Sequence, residues 1–151
     1  MKNITKLLIG IGILLLLITG VSAALNTGLK APDEFEKSTY WEKNDKSDIY
    51  SLKNDNNTLL YIDKYSDDLY DTLFKDDPEL DYHVNKLNDT IMMGKDNGVH
   101  DGYVMEIIEY NGEKYIVNIC ISDNPDNAKI KDSANYLDEF NKLNNIQPIK
   151  V

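Results

Sequence analysis

The sequence predicts an α+β fold: a single small domain with a central antiparallel sheet flanked by helices, preceded by an N-terminal signal or anchor helix. Three observations carry this expectation. Residues 103–121 read as two runs of high β-propensity joined by Asn111-Gly112, a dipeptide that accepts positive φ at both positions, as a two-residue type I′ turn requires. That turn sets Tyr110 opposite Glu113, Glu109 opposite Lys114, Ile108 opposite Tyr115 and Val104 opposite Ile119, and the opposite charges of Glu109 and Lys114 agree with it. Second, both faces of the hairpin have apolar character, so the sheet needs cover on both sides. Val104, Ile108, Tyr115, Val117, Ile119 and Ile121 form one face, and Tyr103, Met105, Ile107, Ile116 and Cys120 the other. Third, capped amphipathic stretches begin at Ser66 and at Pro125 and can supply that cover.

At the N-terminus, Lys2 and Lys6 precede an apolar run at residues 7–18, and the small residues Thr19-Gly20-Val21-Ser22-Ala23-Ala24 follow. A basic region, an apolar core and Val21-x-Ala23 before a cut describe a secretory signal peptide, residues 1–23. The uncharged stretch extends to Leu25, near the roughly 20 residues a spanning helix needs, so an uncleaved membrane anchor is the alternative. No cysteine follows the apolar run to take a lipid. Residues 24–151 are then one α+β extracytoplasmic domain, secreted or tethered at the cell surface. The membrane is met only through the N-terminal helix, if that is uncleaved.

Residues 25–30 read as a short lead or edge strand, and Ala31-Pro32-Asp33-Glu34-Phe35 as a turn with one aromatic to bury. A strand is expected to start at residues 39–41, followed by a polar loop. Residues 48–52 and 58–63 flank five turn-forming residues and form a second hairpin, with Leu59 and Tyr61 on one face and Leu60 and Ile62 on the other. Ser66 caps a helix whose first turn carries Asp67 and Asp68, and whose stripe is Leu69, Leu73, Tyr70 and Phe74. Asp77-Pro78 restarts a second helix, with Leu80, Val84 and Leu87 inward. Residues 88–93 suit a short strand, and residues 94–98 and Asp101-Gly102 are turns. A last helix runs from Pro125 to about Leu143, with Ile130, Ala134, Leu137 and Phe140 at helical spacing.

Sixteen basic residues, all lysine, stand against 26 acidic ones, for a net charge of −10. With no basic patch, a polynucleotide partner is excluded on electrostatic grounds. One cysteine forms no intrachain disulfide, and Cys120, inside a strand, reads as buried and structural.

His83 and His100 are the only imidazoles; they stand in no metal or nucleophile motif and read as solvent-exposed. Asp96-Asn97-Gly98 with Asp101 offers the oxygens calcium prefers, but misses the spacing of a calcium loop and its closing glutamate. Asp67/Asp68/Asp71, Asp76/Asp77/Glu79 and Asp123/Asp126 read as solvated helix starts. Gly94, Gly98, Gly102 and Gly112 form no phosphate cradle. No catalytic, cofactor-binding or metal-binding residue is therefore assigned, and calcium is the one ion that any spacing partly suits. Asn56-Asn57-Thr58 and Asn88-Asp89-Thr90 are glycosylation sequons, with Asn56 the better placed, in a loop. Ten tyrosines suit the half-buried rim of a small sheet or, alternatively, a ligand groove. Glu106 is the anomaly: the register sets it among Val104, Ile108 and Val117, and a bulge turning it outward is expected to remove the conflict.

The Pro32-Asp33-x-Phe35 turn, the short strands, the Asn111–Val117 return (NGEKYIV) and the last amphipathic helix together resemble small exported proteins of methanogenic archaea. These are distantly similar to the PsbP-type α-β-α sandwich, and the likeness spans about residues 30–143. The chain departs from that pattern in lacking a glycine-aspartate start to its first strand, and in its polar stretch at residues 81–102. The resemblance implies a non-enzymatic surface or accessory role and transfers no catalytic residue. The expected function is a binding or accessory module for a protein or small-molecule ligand at the cell surface. The alternatives are a small metal-dependent or hydrolytic enzyme, which needs a positioned base or metal cluster that the sequence does not mark, and an envelope component assembling through a sheet edge.

Overall fold

The computed structural model describes residues 25–38, 46–97 and 101–151. In chain order its elements are strands β1 (Phe35–Lys37), β2 (Ser47–Leu52) and β3 (Asp55–Lys64), helix α1 (Asp67–Phe74), and strands β4 (Tyr82–Lys86), β5 (Ile91–Asp96), β6 (Gly102–Tyr110) and β7 (Glu113–Ile121). Helices α2 (Asn127–Asp132) and α3 (Ala134–Asn144) complete it. All seven strands join one antiparallel sheet in the order β1-β2-β3-β7-β6-β5-β4. The β6–β7 hairpin turns at Asn111 and Gly112, with φ of 51° and 78°, and every pair the turn predicts is present. The β2–β3 hairpin also forms, with a tighter turn than the five-residue loop expected: Asp55 is already on β3, and the register shifts between Ser51 and Leu52.

The two sheet faces are covered unequally. Leu60, Ile62, Val104, Ile108, Val117, Ile119 and Ile121 pack beneath Ile130, Leu137 and Phe140 of α2 and α3, and all ten are fully buried. On the second face a smaller cluster, Met105, Ile107 and Ile116, meets Phe74 of α1. Ser66 caps α1 as expected, its hydroxyl accepting from the Leu69 N–H at 3.2 Å. The single C-terminal helix expected from Pro125 is divided at Ser133, whose N–H and hydroxyl both donate to the Lys129 carbonyl.

Other expectations are corrected. Residues 25–30 form no strand; the Asn144 side chain instead binds both the N–H and the carbonyl of Lys30, each at 2.8 Å, which satisfies the backbone that a sheet would have paired. The second helix at Asp77-Pro78 is absent. The Asp77 carboxylate accepts from the Glu79 N–H at 2.9 Å, Asp81 takes a positive φ of 52°, and the chain turns into edge strand β4, leaving Leu80 exposed. Asn85, Asp81 and Asn88 are poor helix formers, so pairing with β5 wins. Gly94, Lys95 and Asp96 lie in β5 rather than in a turn; Gly94 leaves room on the second face for the Tyr82 ring, whose hydroxyl an added methyl would strike. Gly102 likewise opens β6.

Glu106 is not turned outward. The β6 ladder is continuous on both sides, to Ile91 and to Val117, leaving no slack for a bulge, and its side chain is fully buried beneath α3. The N-terminal signal or anchor segment, the strand start at residues 39–41, Gly98 and His100 lie outside the described residues. Among the described residues no helix is long and apolar enough to cross a membrane.

Candidate binding site on the half-covered sheet face

Helix α1 has only eight residues and covers only part of the second face. Its Phe74 and the Tyr70 ring stacked on it at 4.9 Å sit over the Met105–Ile116 cluster. Beyond that cover, cross-strand pairing aligns two rows, Ile49–Tyr61–Asn118 and Leu59–Cys120–Tyr103. With Ser47, Asp63, Asp101 and Ser122, and with Leu69 and Leu73 from α1, they line a cavity of about 430 Å³.

Its polar groups are held in place. Asp63 is 8% exposed, and the Asn118 amide donates to its Oδ2 at 3.2 Å. Burial raises its carboxyl above the usual aspartate range, opposed by the hydrogen bonds from Ser47 and Asn118. Asp101 accepts from the Tyr103 hydroxyl at 3.3 Å. Burial pushes the Tyr61 phenol up to about 12, with smaller contributions from Cys120, Asp63 and Asp101, and raises Tyr103 as well. The Cys120 thiol rises to about 12, chiefly by burial and then by the field of Asp101. At neutral pH the thiol and both phenols are therefore neutral donors and acceptors, poorly suited to nucleophilic attack. The cavity can hold and orient a molecule, and among the described residues no lysine or histidine lines it.

A second hollow of about 360 Å³ shares Leu73 and Tyr103 with the first and adds Asp71, Lys75, Asp76, Asp77, Tyr82 and Asp96. Tyr82 is fixed there by donating to the Leu73 carbonyl at 2.6 Å and by an edge contact with Tyr103. A larger hollow, about 830 Å³ between β3 and the C-terminal helices, is lined in part by Asp126 and Asp55, both engaged in structural work. Asp126 caps α2 through the Lys129 N–H at 2.7 Å, and Asp55 accepts from the Asn57 N–H and the Thr58 hydroxyl.

The residues singled out in the sequence scatter. His83 is exposed on β4 against Asp81 at 3.0 Å, away from the cavity. Asp96 is buried at the end of β5, its N–H donating to the Asp101 carbonyl at 2.9 Å, so the pair considered for calcium is joined through backbone. Asp76 and Asp77 accept from backbone N–H groups, and Asp67 and Asp68 occupy the first turn of α1. Among the described residues no group of three or more histidine, cysteine or acidic side chains could hold a metal. Asn56 is exposed on β3 just after the turn rather than in a loop, and Asn88 is exposed with its Oδ1 accepting from Thr90 and Ile91. Cys120 is buried, as expected, but on the cavity floor. Asp63 and Asn118 were not legible as a site. The available signal was that each is a polar residue beside apolar ones on its strand face, and only the β3–β7 pairing joins them. No protein-family model, curated protein or solved structure matches the chain.

Proposed function

We propose that this protein is an exported, non-enzymatic binding module that takes a small cationic organic molecule in the cavity beside α1. The observation that carries the reading is the lining: two carboxylates, Asp63 and Asp101, and two phenol rings, Tyr61 and Tyr103, around a concavity free of lysine among the described residues. An ammonium group there would meet opposite charge and aromatic faces, and the apolar lining of Ile49, Leu59 and Leu73 would cover its hydrocarbon part. The neutral thiol and phenols favour holding over reacting. Export rests on the apolar, lysine-headed N-terminal segment. Helices on both sheet faces are the layering that a PsbP-type sandwich would also have. Assembly through a sheet edge is less favoured, because edge strand β1 has three residues and β4 five, with Lys86 and His83 on the latter.

The test is an amide-NMR titration of the full chain, in mild detergent where the N-terminal segment is retained, with putrescine, spermidine and choline against the anion glutarate. Saturable shifts at Tyr61, Asp63, Tyr103 and Asn118 with a cation alone are expected. Asp63→Asn with Asp101→Asn should weaken them about tenfold or more, corresponding to roughly 1.4 kcal/mol. Shifts spread evenly over the acidic surface, or unchanged in that double variant, refute the proposal.

A further inference from the structure

Glu106 lies midway along β6, with Val104 and Ile108 to either side on the same face and Ile91 and Val117 opposite it. It is fully buried, and one neutral donor reaches it: the Asn141 amide of α3 donates to Oε2 at 3.1 Å. Glu106 Oε1 and Asn141 Oδ1 are both buried without a hydrogen-bond partner. With the carboxyl ionised, both orphans are acceptors and neither can serve the other. An ionised carboxylate at such a site also needs a cation or several donors. Among the described residues no ion pair reaches Glu106. One proton on Oε1 supplies the missing donor. A planar acid and a planar amide can then share two antiparallel hydrogen bonds, N–H to Oε2 and O–H to Oδ1.

We infer that Glu106 is carried as the neutral acid in the folded protein, and that its proton closes a two-bond clasp to Asn141 that fastens α3 to the sheet and makes that attachment pH-dependent. The surrounding groups favour the proton. From α3 the charged neighbour is Asp138, whose negative field opposes ionisation. Lys142, next along α3, lines a solvent-facing cavity of about 420 Å³ with Asp138 and Asn141 and forms no ion pair with Glu106. From β5 and β7 the facing residues, Ile91 and Val117, carry no charge, and from the segment after α3 the cavity is lined by Asn145, Ile146, Gln147 and Pro148. Burial first, then Asp138, pushes the Glu106 carboxyl up to about 8, with the Asn141 bond opposing them. The folded carboxyl therefore loses its proton at higher pH than the unfolded one. The clasp's contribution is full below the ordinary glutamate range, declines as pH rises, and is gone above about 8.

The test follows the carboxyl carbon of Glu106 by ¹³C NMR in the full chain, together with hydrogen exchange of α3 corrected for intrinsic rates. The Glu106 signal is identified by through-bond connectivity and by its loss in Glu106→Gln, whose amide can make the same two bonds without a titrating proton. A midpoint well above the ordinary glutamate range is expected. The protection of α3 relative to β6 and β7 should fall at least tenfold between pH 5.5 and 8.5 in the wild type and stay level in Glu106→Gln. A Glu106 midpoint in the ordinary range overturns the inference even if the variant does not fold. So does α3 protection that follows the same pH curve in both proteins.

Discussion

Val117 and Asn118 are adjacent on β7 and meet opposite surroundings. Val117 enters the layer beneath α2 and α3, where it joins a large apolar cluster and pairs with Glu106, which is bonded to Asn141. Asn118 enters the face that α1 half covers, and there it holds the Asp63 carboxylate beside two tyrosines and the cysteine. The first face spends its residues on stability, since apolar burial is the dominant favourable term. The second keeps polar groups that burial alone would disfavour and stations them around a hollow. Cover is what differs: two helices with three fully buried anchors, Ile130, Leu137 and Phe140, against one short helix with one buried anchor, Phe74. A face left partly open is where polar side chains can be kept without desolvating them completely.

Truncation should expose this asymmetry most strongly. Phe140→Ala on the closed face is expected to cost about 3–5 kcal/mol, the range for a fully buried aromatic, in urea unfolding. Leu73→Ala at the cavity wall, only partly buried, should cost about 1 kcal/mol. Equal losses would mean that both faces are equally structural.

A smaller effect is expected from overpacking the open face. A methyl at Gly94 would strike the Tyr82 hydroxyl, whose bond to the Leu73 carbonyl anchors the end of α1. Gly94→Ala should cost about 1–3 kcal/mol, the usual range for forced repacking, and should shift the amide resonances of Leu73 and Tyr103. An unperturbed α1 would show that Tyr82 does not tie this helix to the sheet.

The smallest change in stability is expected at Asp63. Its folded carboxyl is raised, so its favourable contribution is present below the ordinary aspartate range and is lost as pH rises through the raised value. Asp63→Asn keeps an acceptor for Asn118 and removes a partly desolvated charge, so at pH 7 it should gain stability, by less than about 1 kcal/mol. A marked loss in thermal or urea unfolding would make Asp63 a structural residue rather than a ligand-facing one.

Elements whose signals are local can be read from the residues alone. Asn111-Gly112 accepts positive φ at both positions, and that alone sets the β6–β7 register and which residues share a face. Ser66 caps the first turn of α1 through a side chain three residues from the N–H it binds, whereas α2 starts at Asn127 behind an Asp126 cap, two residues later than the Pro125 start expected. Residues 77–87 were not legible, because Leu80, Val84 and Leu87 fit a helical stripe while Val84 also fits an edge strand. The choice was made by pairing with β5, a contact the stretch cannot report alone. The depth of Glu106 was likewise decided by strands on both sides of β6 and by Asn141 on a helix 35 residues away. The candidate site is the most tertiary feature of all. Ser47, Asp63, Asp101, Asn118 and Cys120 come from three strands and one loop, and they meet only because β3 pairs with β7 while α1 is too short to cover the face they share.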